Sequence, residues 1–319
     1  MVVSQNPAGF GGKKSFWNRL KRDFKTNFWL YVLVLPVIVY YIVFRYIPIV
    51  GVVIGFKNYK PAFGTWGSPW ADFYGFEHFI MFIRDPFFPR LLRNTILISL
   101  YSLIFGFPAP VLLAVMLSEV RQIKYKRILQ TLTYFPHFIS SVVVCGMIVS
   151  FCLSDGLFNQ IGAIFGRSPS SFLQNPAYFR TIYVASGIWQ EVGWSSIIYL
   201  AAIAGVDGGL YEAAALDGAG RLRRIWHITL PGIKNTLVIL LIMKIGGLMS
   251  VGYEKVLLLY NPTIYETADV ISTYMYRRGL LEFNFSFSTA IDLFNSAINF
   301  ILVLTANAIS RKVTETSLF

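Results

Sequence analysis

Six stretches of this chain are too long and too apolar for the surface of a water-soluble fold: residues 28–56, 94–118, 131–154, 181–206, 235–260 and 285–310. Each reaches the roughly 20 residues a helix needs to cross the hydrocarbon core of a bilayer. In lipid every backbone N–H and C=O must be satisfied within the segment, so runs of this kind become helices. Composition agrees, with 55% hydrophobic and 14% charged residues and a mean hydropathy of +0.57 over 319 residues. The reading is an all-α, polytopic membrane protein with six transmembrane helices. Arg45 and Pro48 interrupt the first run, and Pro108 and Pro110 predict a kink in the second.

Charge is sorted around these runs. The net +12 comes largely from basic clusters beside apolar stretches, as the positive-inside rule requires, and no nucleic-acid partner is needed to explain it. With the amino terminus inside, the inner segments hold Lys13, Lys14, Arg19, Lys21, Arg22 and Lys25, then Arg121, Lys124, Lys126 and Arg127, then Arg221, Arg223, Arg224 and Lys234, then Arg311 and Lys312. That is sixteen of the 28 bases. Both termini are therefore expected in the cytoplasm, and residues 212–231 on the cytoplasmic face. No small-residue cleavage site follows the basic start, which argues against a removed signal peptide. Three regions result: a basic segment 1–27, a membrane domain 28–310 and a tail 311–319. Within the first, Phe16, Trp17, Leu20 and Phe24 recur at helical spacing among bases, as in a helix lying on an anionic leaflet; a disordered tail over residues 1–14 fits as well.

The outer loop 57–93 is rich in glycine, proline and aromatics, among them Trp66, Trp70, Phe73 and Tyr74, and residues 75–83 suit a short amphipathic helix. Those aromatics fit an interfacial belt, or a surface that docks a partner protein. Cys145 and Cys152 lie seven residues apart in one run and read as packing residues. The pair Gly51 and Gly55 fits the Gly-x-x-x-Gly pattern for close helix contact. No phosphate-binding loop of the Gly-x-x-x-x-Gly-Lys-Ser/Thr type, no nucleophile elbow and no His/Cys metal spacing is present, so neither catalysis nor a metal site is expected in this chain.

What remains is polar chemistry at membrane depth, which is costly in hydrocarbon and tends to face a cavity or another polar group. In the fourth run Trp189, Gln190, Glu191, Trp194, Ser195 and Ser196 combine aromatic faces with hydrogen-bonding groups, as a sugar site would; mutual pairing at helix interfaces is the alternative. Tyr253 and Glu254 join them as candidates for a substrate path. In the sixth run Asn284, Ser286, Ser288, Asp292, Asn295 and Asn299 form a polar stripe that faces a partner helix or a pore, and Asp292 and Asn295 are its substrate-path candidates. His137 reads as a structural hydrogen-bonding group.

Residues 212–231, EAAALDGAGRLRRIWHITLP, stand apart as a polar, helix-prone segment between two apolar runs. Alanines favour a first short helix, Gly218 and Gly220 a turn, and Arg221 to Leu230 a second short segment, after which Pro231 is placed to open the next helix. Glu212, Ala213 and Ala214, then Gly218, then Ile228, Leu230 and Pro231, stand at the spacing of the EAA motif, which this segment resembles. The chain is similar to the permease subunits of binding-protein-dependent ABC importers. Residues from Pro36 (PVIVYY), from Phe135 (FPHFIS) and from Asn261 (NPTIYETADVI) resemble the oligosaccharide and polysaccharide branch of that family.

The resemblance implies an ABC type I importer permease. It would be a transport subunit rather than an enzyme, sitting with both termini inside in a bacterial cytoplasmic membrane. It further implies that residues 210–231, Arg221 included, are a coupling segment held by a separate ATPase dimer, which binds ATP and Mg. The other partners implied are a second homologous permease, an extracytoplasmic solute-binding protein and a carbohydrate cargo. An ion-coupled secondary transporter of sugars, using Glu191, Lys244 and Asp292, is the alternative.

Overall fold

The computed structural model describes residues 13–314 and 317–318. Most of the expectation about residues 1–14 lies outside the described residues. Among those described, regular structure is helical, and the only β-type pairing is an isolated antiparallel bridge between Lys57 and Trp70.

The basic start forms α1 (Lys13–Thr26), followed by α2 (Phe28–Tyr41). The helix then runs on to Phe56 through a π turn at Ile42–Tyr46 and a 3₁₀ stretch at Val50–Phe56. The π turn comes just before Pro48, which lacks the N–H that a regular turn requires. The most apolar window of this first span has no buried residue, so in a bilayer its whole surface would meet lipid or another subunit. It touches the bundle at its end. An added Cβ at Gly55 would meet the Ala290 backbone at 3.2 Å, whereas Gly51 faces open space, so one glycine of the expected pair makes the close contact.

The loop that follows contains α3 (Glu77–Arg84), the expected short helix, anchored by buried His78 and Phe82. Next come α4 (Phe88–Gly106) and α5 (Pro108–Ser118), divided at the predicted proline kink yet together one 31-residue span. The third apolar run is not one helix. It divides into the end of α6 (Ile123–Tyr134), a 3₁₀ turn at Phe135–Phe138 and α7 (Ser141–Cys152), because Pro136 cannot continue the ladder and Ser140 caps a new one. With α8 (Leu157–Ile164), α7 makes the spanning segment Ser141–Ile164.

The bundle helix α9 (Pro176–Ala204) runs unbroken for 29 residues, about 43 Å at 1.5 Å per residue. Its start is capped by Asn175, which accepts from the Ala177 N–H at 3.0 Å. The chain then forms α10 (Gly208–Leu216), α11 (Arg221–Arg224) and α12 (Lys234–Gly246). The fifth run also breaks: glycines 246, 247 and 252 separate α12 from the short α13 (Tyr253–Leu259). After α14 (Ile271–Tyr276) the chain ends on α15 (Phe285–Thr314). Four spans are long and apolar enough to cross a bilayer, or up to six if each of two bent helix pairs counts as one span.

Three apolar clusters hold the bundle. One joins α4, α7, α9 and α13 through Ile98, Val144, Phe179 and Val256, and it takes in both free cysteines, Cys145 and Cys152, as packing groups. Another seats Phe82 of α3 against Phe287 and Ile291 of α15. The third packs Val111 and Ala114 of α5 on Tyr199 of α9. Close approach of α9 to the end of α6 depends on Gly193, where a Cβ would overlap the Thr133 backbone. The polar stripe of α15 is spent mainly on neighbouring segments: Ser286 accepts from the Tyr59 N–H, Ser288 donates to the Met275 carbonyl, and Asn299 accepts from the Met249 N–H.

Candidate functional site

At the end of α9 the chain leaves the bundle. α9 and α10 meet at 71°. Asp207 starts α10 by accepting from the Gly209 N–H at 2.9 Å, and α10 carries Glu212, Ala213 and Ala214. It closes with two bonds, Ala219 N–H to the Ala214 carbonyl at 2.8 Å and Gly218 N–H to the Ala215 carbonyl at 3.1 Å. That pair is a Schellman closure, and it places Gly218 at φ +73°, where a side chain would cost about 1–2 kcal/mol. The return path is α11, a π turn at Ile225–Thr229 and a last turn at Leu230–Gly232, and it meets α12 at 64°.

The two halves of this knob are fastened to each other and to the bundle. Tyr211 Oη and Thr229 Oγ1 lie 3.0 Å apart, and Leu230 packs against the Val111, Ala114 and Tyr199 cluster. A Cβ at Gly232 would lie 2.8 Å from Val206, so glycine lets the strands of the knob close. Arg221 reaches Glu119 at 3.9 Å, a weak tie at an exposed site. Ile228 is half-buried and Pro231 exposed. The far surface is open: Glu212, Ala213, Gly218, Arg221 and Arg223 are exposed, and among them Leu216 is 90%, Leu222 74% and Trp226 66% exposed. Apolar side chains set among charges on a projecting element suit a protein contact.

Higher on α9 lies a cavity of about 840 Å³, bounded by α4, α5, α9 and α12 and by residues of α7 and α13. Gln190, Glu191 and Trp194 line it, as do Lys244, Lys255 and Tyr183. Its size falls in the usual range of about 300–1,000 Å³ for small-molecule sites. His137 stacks on Trp194 with ring centroids 4.6 Å apart and planes 2° from parallel, and its Nδ1 is 3.0 Å from Glu191 Oε2. The Gln190 amide donates to the Ile139 carbonyl at 3.1 Å. Lys255 donates to the Tyr183 carbonyl at 3.1 Å, with its ammonium 5.0 Å from the centre of the Tyr183 ring.

The remaining substrate-path candidates do not line this cavity. Trp189 is exposed on another face of α9, Tyr253 stacks on Tyr276 with centroids 5.5 Å apart, and Glu254 and Asp292 are exposed. Asn295 is buried with its Oδ1 unpartnered. Lys255 rather than Glu254 turns to the cavity, because one residue rotates a helix face by about 100°. A stripe drawn from Val184, Gly187, Glu191 and Trp194 on α9, with α13 packed beside it, could have pointed there.

A second centre escaped sequence reasoning. Asp269, fully buried, accepts from both Arg277 terminal nitrogens at 2.8 and 2.7 Å and from Thr273 at 2.8 Å, with Arg90 at 3.6 Å. Its carbonyl accepts from Asn94, whose Oδ1 in turn accepts from Arg180 at the start of α9. Burial works against the Arg277 charge, and the bonds to Asp269 more than offset it, holding the guanidinium above its ordinary range. This knot ties α4, α9 and α14 together at the end of α9 remote from the knob.

A cavity with a few polar groups on a mostly apolar wall, set along a long bundle helix that runs on to an exposed knob, suits passage of a solute, and the chain is an integral-membrane transport subunit. It belongs to the family described as binding-protein-dependent transport system inner membrane component, whose pattern matches residues 106–315. The chain is 45% identical over 292 residues to the polygalacturonan/rhamnogalacturonan transport system permease protein YteP of Bacillus subtilis (strain 168), covering 91% of this chain and 90% of that one. It is 43% identical over 315 residues to Protein LplB of the same organism, covering 98% and 97%. Among solved structures it resembles a chain of a bacterial ABC transporter that imports the acidic polysaccharide alginate, with TM-score 0.84, 42% identity, and 93% and 99% of the two chains covered. A chain of the bacterial alginate transporter in complex with an alginate pentasaccharide-bound periplasmic protein gives TM-score 0.85 at 42% identity, covering 94% of this chain and all of that one.

Proposed function

We propose that this chain is one of two permease subunits of an ATP-driven ABC importer for oligosaccharides or polysaccharide fragments, and that residues 210–231 couple it to a separate ATPase dimer. The carrying observation is the two-part knob, turned 71° and 64° away from its flanking helices and bearing exposed Leu216, Leu222 and Trp226 beside Glu212 and Arg221. On this reading ATP and Mg reside in the ATPase. Its closure pushes the knob, and α9 carries the motion to the cavity, since Leu230 and Gly232 join the knob to the α5 and α9 packing. Relatives named for polygalacturonan, rhamnogalacturonan and alginate support a saccharide cargo. The second permease would cover the first span and the open side of the bundle. A solute-binding protein would dock on the opposite face, where Trp66, Phe73 and Tyr74 are exposed in the 57–93 loop. Both termini and the knob lie in the cytoplasm, in a bacterial cell membrane.

Co-purification tests it. The tagged wild-type chain brings the ATPase through detergent extraction, while Glu212→Lys and Gly218→Pro release it and leave helix content unchanged. Retention of the ATPase by both variants, or uptake that needs an ion gradient and no ATPase, contradicts the proposal.

A further inference from the structure

We infer that the α9 cavity selects an anionic saccharide, and that Lys244 and Lys255 are the residues that read its charge; the inference rests on the saccharide-importer reading above. The cavity wall carries two ammonium groups and one carboxylate. That carboxylate, Glu191, is already engaged by His137 at 3.0 Å. With both lysines charged, the wall is net positive whichever protonation state His137 holds. Lys244 makes no hydrogen bond or ion pair with any described residue, and Lys255 uses one of its three donors, on a backbone carbonyl. Ammonium groups at membrane depth without a partner are costly, and such groups characteristically mark the route of a charged solute. An ammonium is a compact point charge suited to oxyanions of varied orientation, as on a flexible chain of sugars.

The surroundings supply the rest of a sugar site. Trp194 keeps one face on His137, which leaves the other free for the apolar side of a sugar ring. Ser195 and Gln190 on the same wall offer partners for hydroxyls. The Asp269 knot above has the same sign: Arg90 and Arg277 converge there on one carboxylate, Arg180 stands one step away on Asn94, and the Arg90 and Arg180 Nε atoms are buried without partners. Cationic side chains thus stand both at the start of α9 and at the cavity, which would draw an anion inward. The shared chemistry is an anionic group on a sugar, either a ring carboxylate or a sulfate ester.

The complete importer with its binding protein, reconstituted in vesicles, distinguishes these outcomes. The probes are tri-galacturonate, its methyl ester and a sulfated galactose trisaccharide. The wild type carries tri-galacturonate at least tenfold faster than the ester. Lys244→Gln and Lys255→Gln each lower that rate three- to tenfold, the double variant lowers it more than tenfold, and Lys255→Arg keeps at least half. Retention of the ATPase on purification establishes that the variants assemble. Preferential carriage of the sulfated probe, lost in the same variants, assigns the anion as a sulfate ester and supports the role of the lysines. Undiminished tri-galacturonate transport by the assembled double variant, or wild-type preference for the ester, overturns the inference and leaves the saccharide importer standing. Failure of the wild type to carry any saccharide removes the importer reading and this inference with it.

Discussion

The two ends of α9 solve opposite problems. At its start the Asp269 knot is closed on itself: a buried carboxylate is surrounded by Arg277, Arg90 and Thr273 from its own chain. At its far end the knob of residues 208–232 turns Leu216, Leu222 and Trp226 outward, with no partner among the described residues to cover them. The first arrangement stabilises this subunit alone, and the second is useful when something else is bound. A rigid helix between a fixed anchor and an open handle is what a lever requires. The cavity lies between them, where a movement of the handle relative to the anchor would alter its shape.

The contrast predicts a ranking of mutational effects. Asp269→Ala should be the most damaging, because it removes the one fully buried carboxylate that the partly buried Arg277 and Arg90 share; breaking a buried pair costs about 3–5 kcal/mol, and the partial exposure of the arginines makes that an upper bound. Thermal melting of the detergent-solubilised subunit should show the loss, and a melt unchanged from wild type would mean the knot is no anchor. Gly193→Val comes next, because its side chain has to displace the Thr133 backbone, at about 1–3 kcal/mol of overpacking. It should lower the melting temperature and uptake together. Gly218→Val, held at φ +73°, should cost about 1–2 kcal/mol confined to the knob. Its signature is lost ATPase binding at near-normal melting temperature, and a melt depressed as far as that of Asp269→Ala would erase the distinction between the two ends. Gly51→Ala, facing open space, should change the melt by less than about 0.5 kcal/mol-equivalent.

Much of the handle was legible in the sequence, because its instructions are local. The alanines of α10, the Gly218 turn and the placement of Leu230 follow from neighbours within a few residues. Membrane-spanning character was legible too, since apolar length is a property of a stretch. The breaks inside the third and fifth runs were not, because hydropathy ignores the missing donor of Pro136, the cap at Ser140 and the glycines between α12 and α13. The anchor and the cavity depend on pairings distant in the chain: Glu191 with His137 on another segment, and Asn94 with Asp269. Glu191 and Trp194, singled out by polarity at membrane depth, line the cavity. Polarity did not choose between Glu254 and Lys255, where helix phase decides, and most of the α15 stripe serves packing against neighbouring segments.

The central claim is that the knob faces the cytoplasm and is gripped there by an ATPase. Cys145 and Cys152 are buried, so a single Leu216→Cys substitution offers an exposed thiol for a membrane-impermeant maleimide. The account predicts no labelling of intact cells, rapid labelling of inside-out vesicles stripped of the ATPase, and at least tenfold slower labelling once the ATPase is restored. Labelling from outside intact cells, or a rate indifferent to the ATPase, would contradict it.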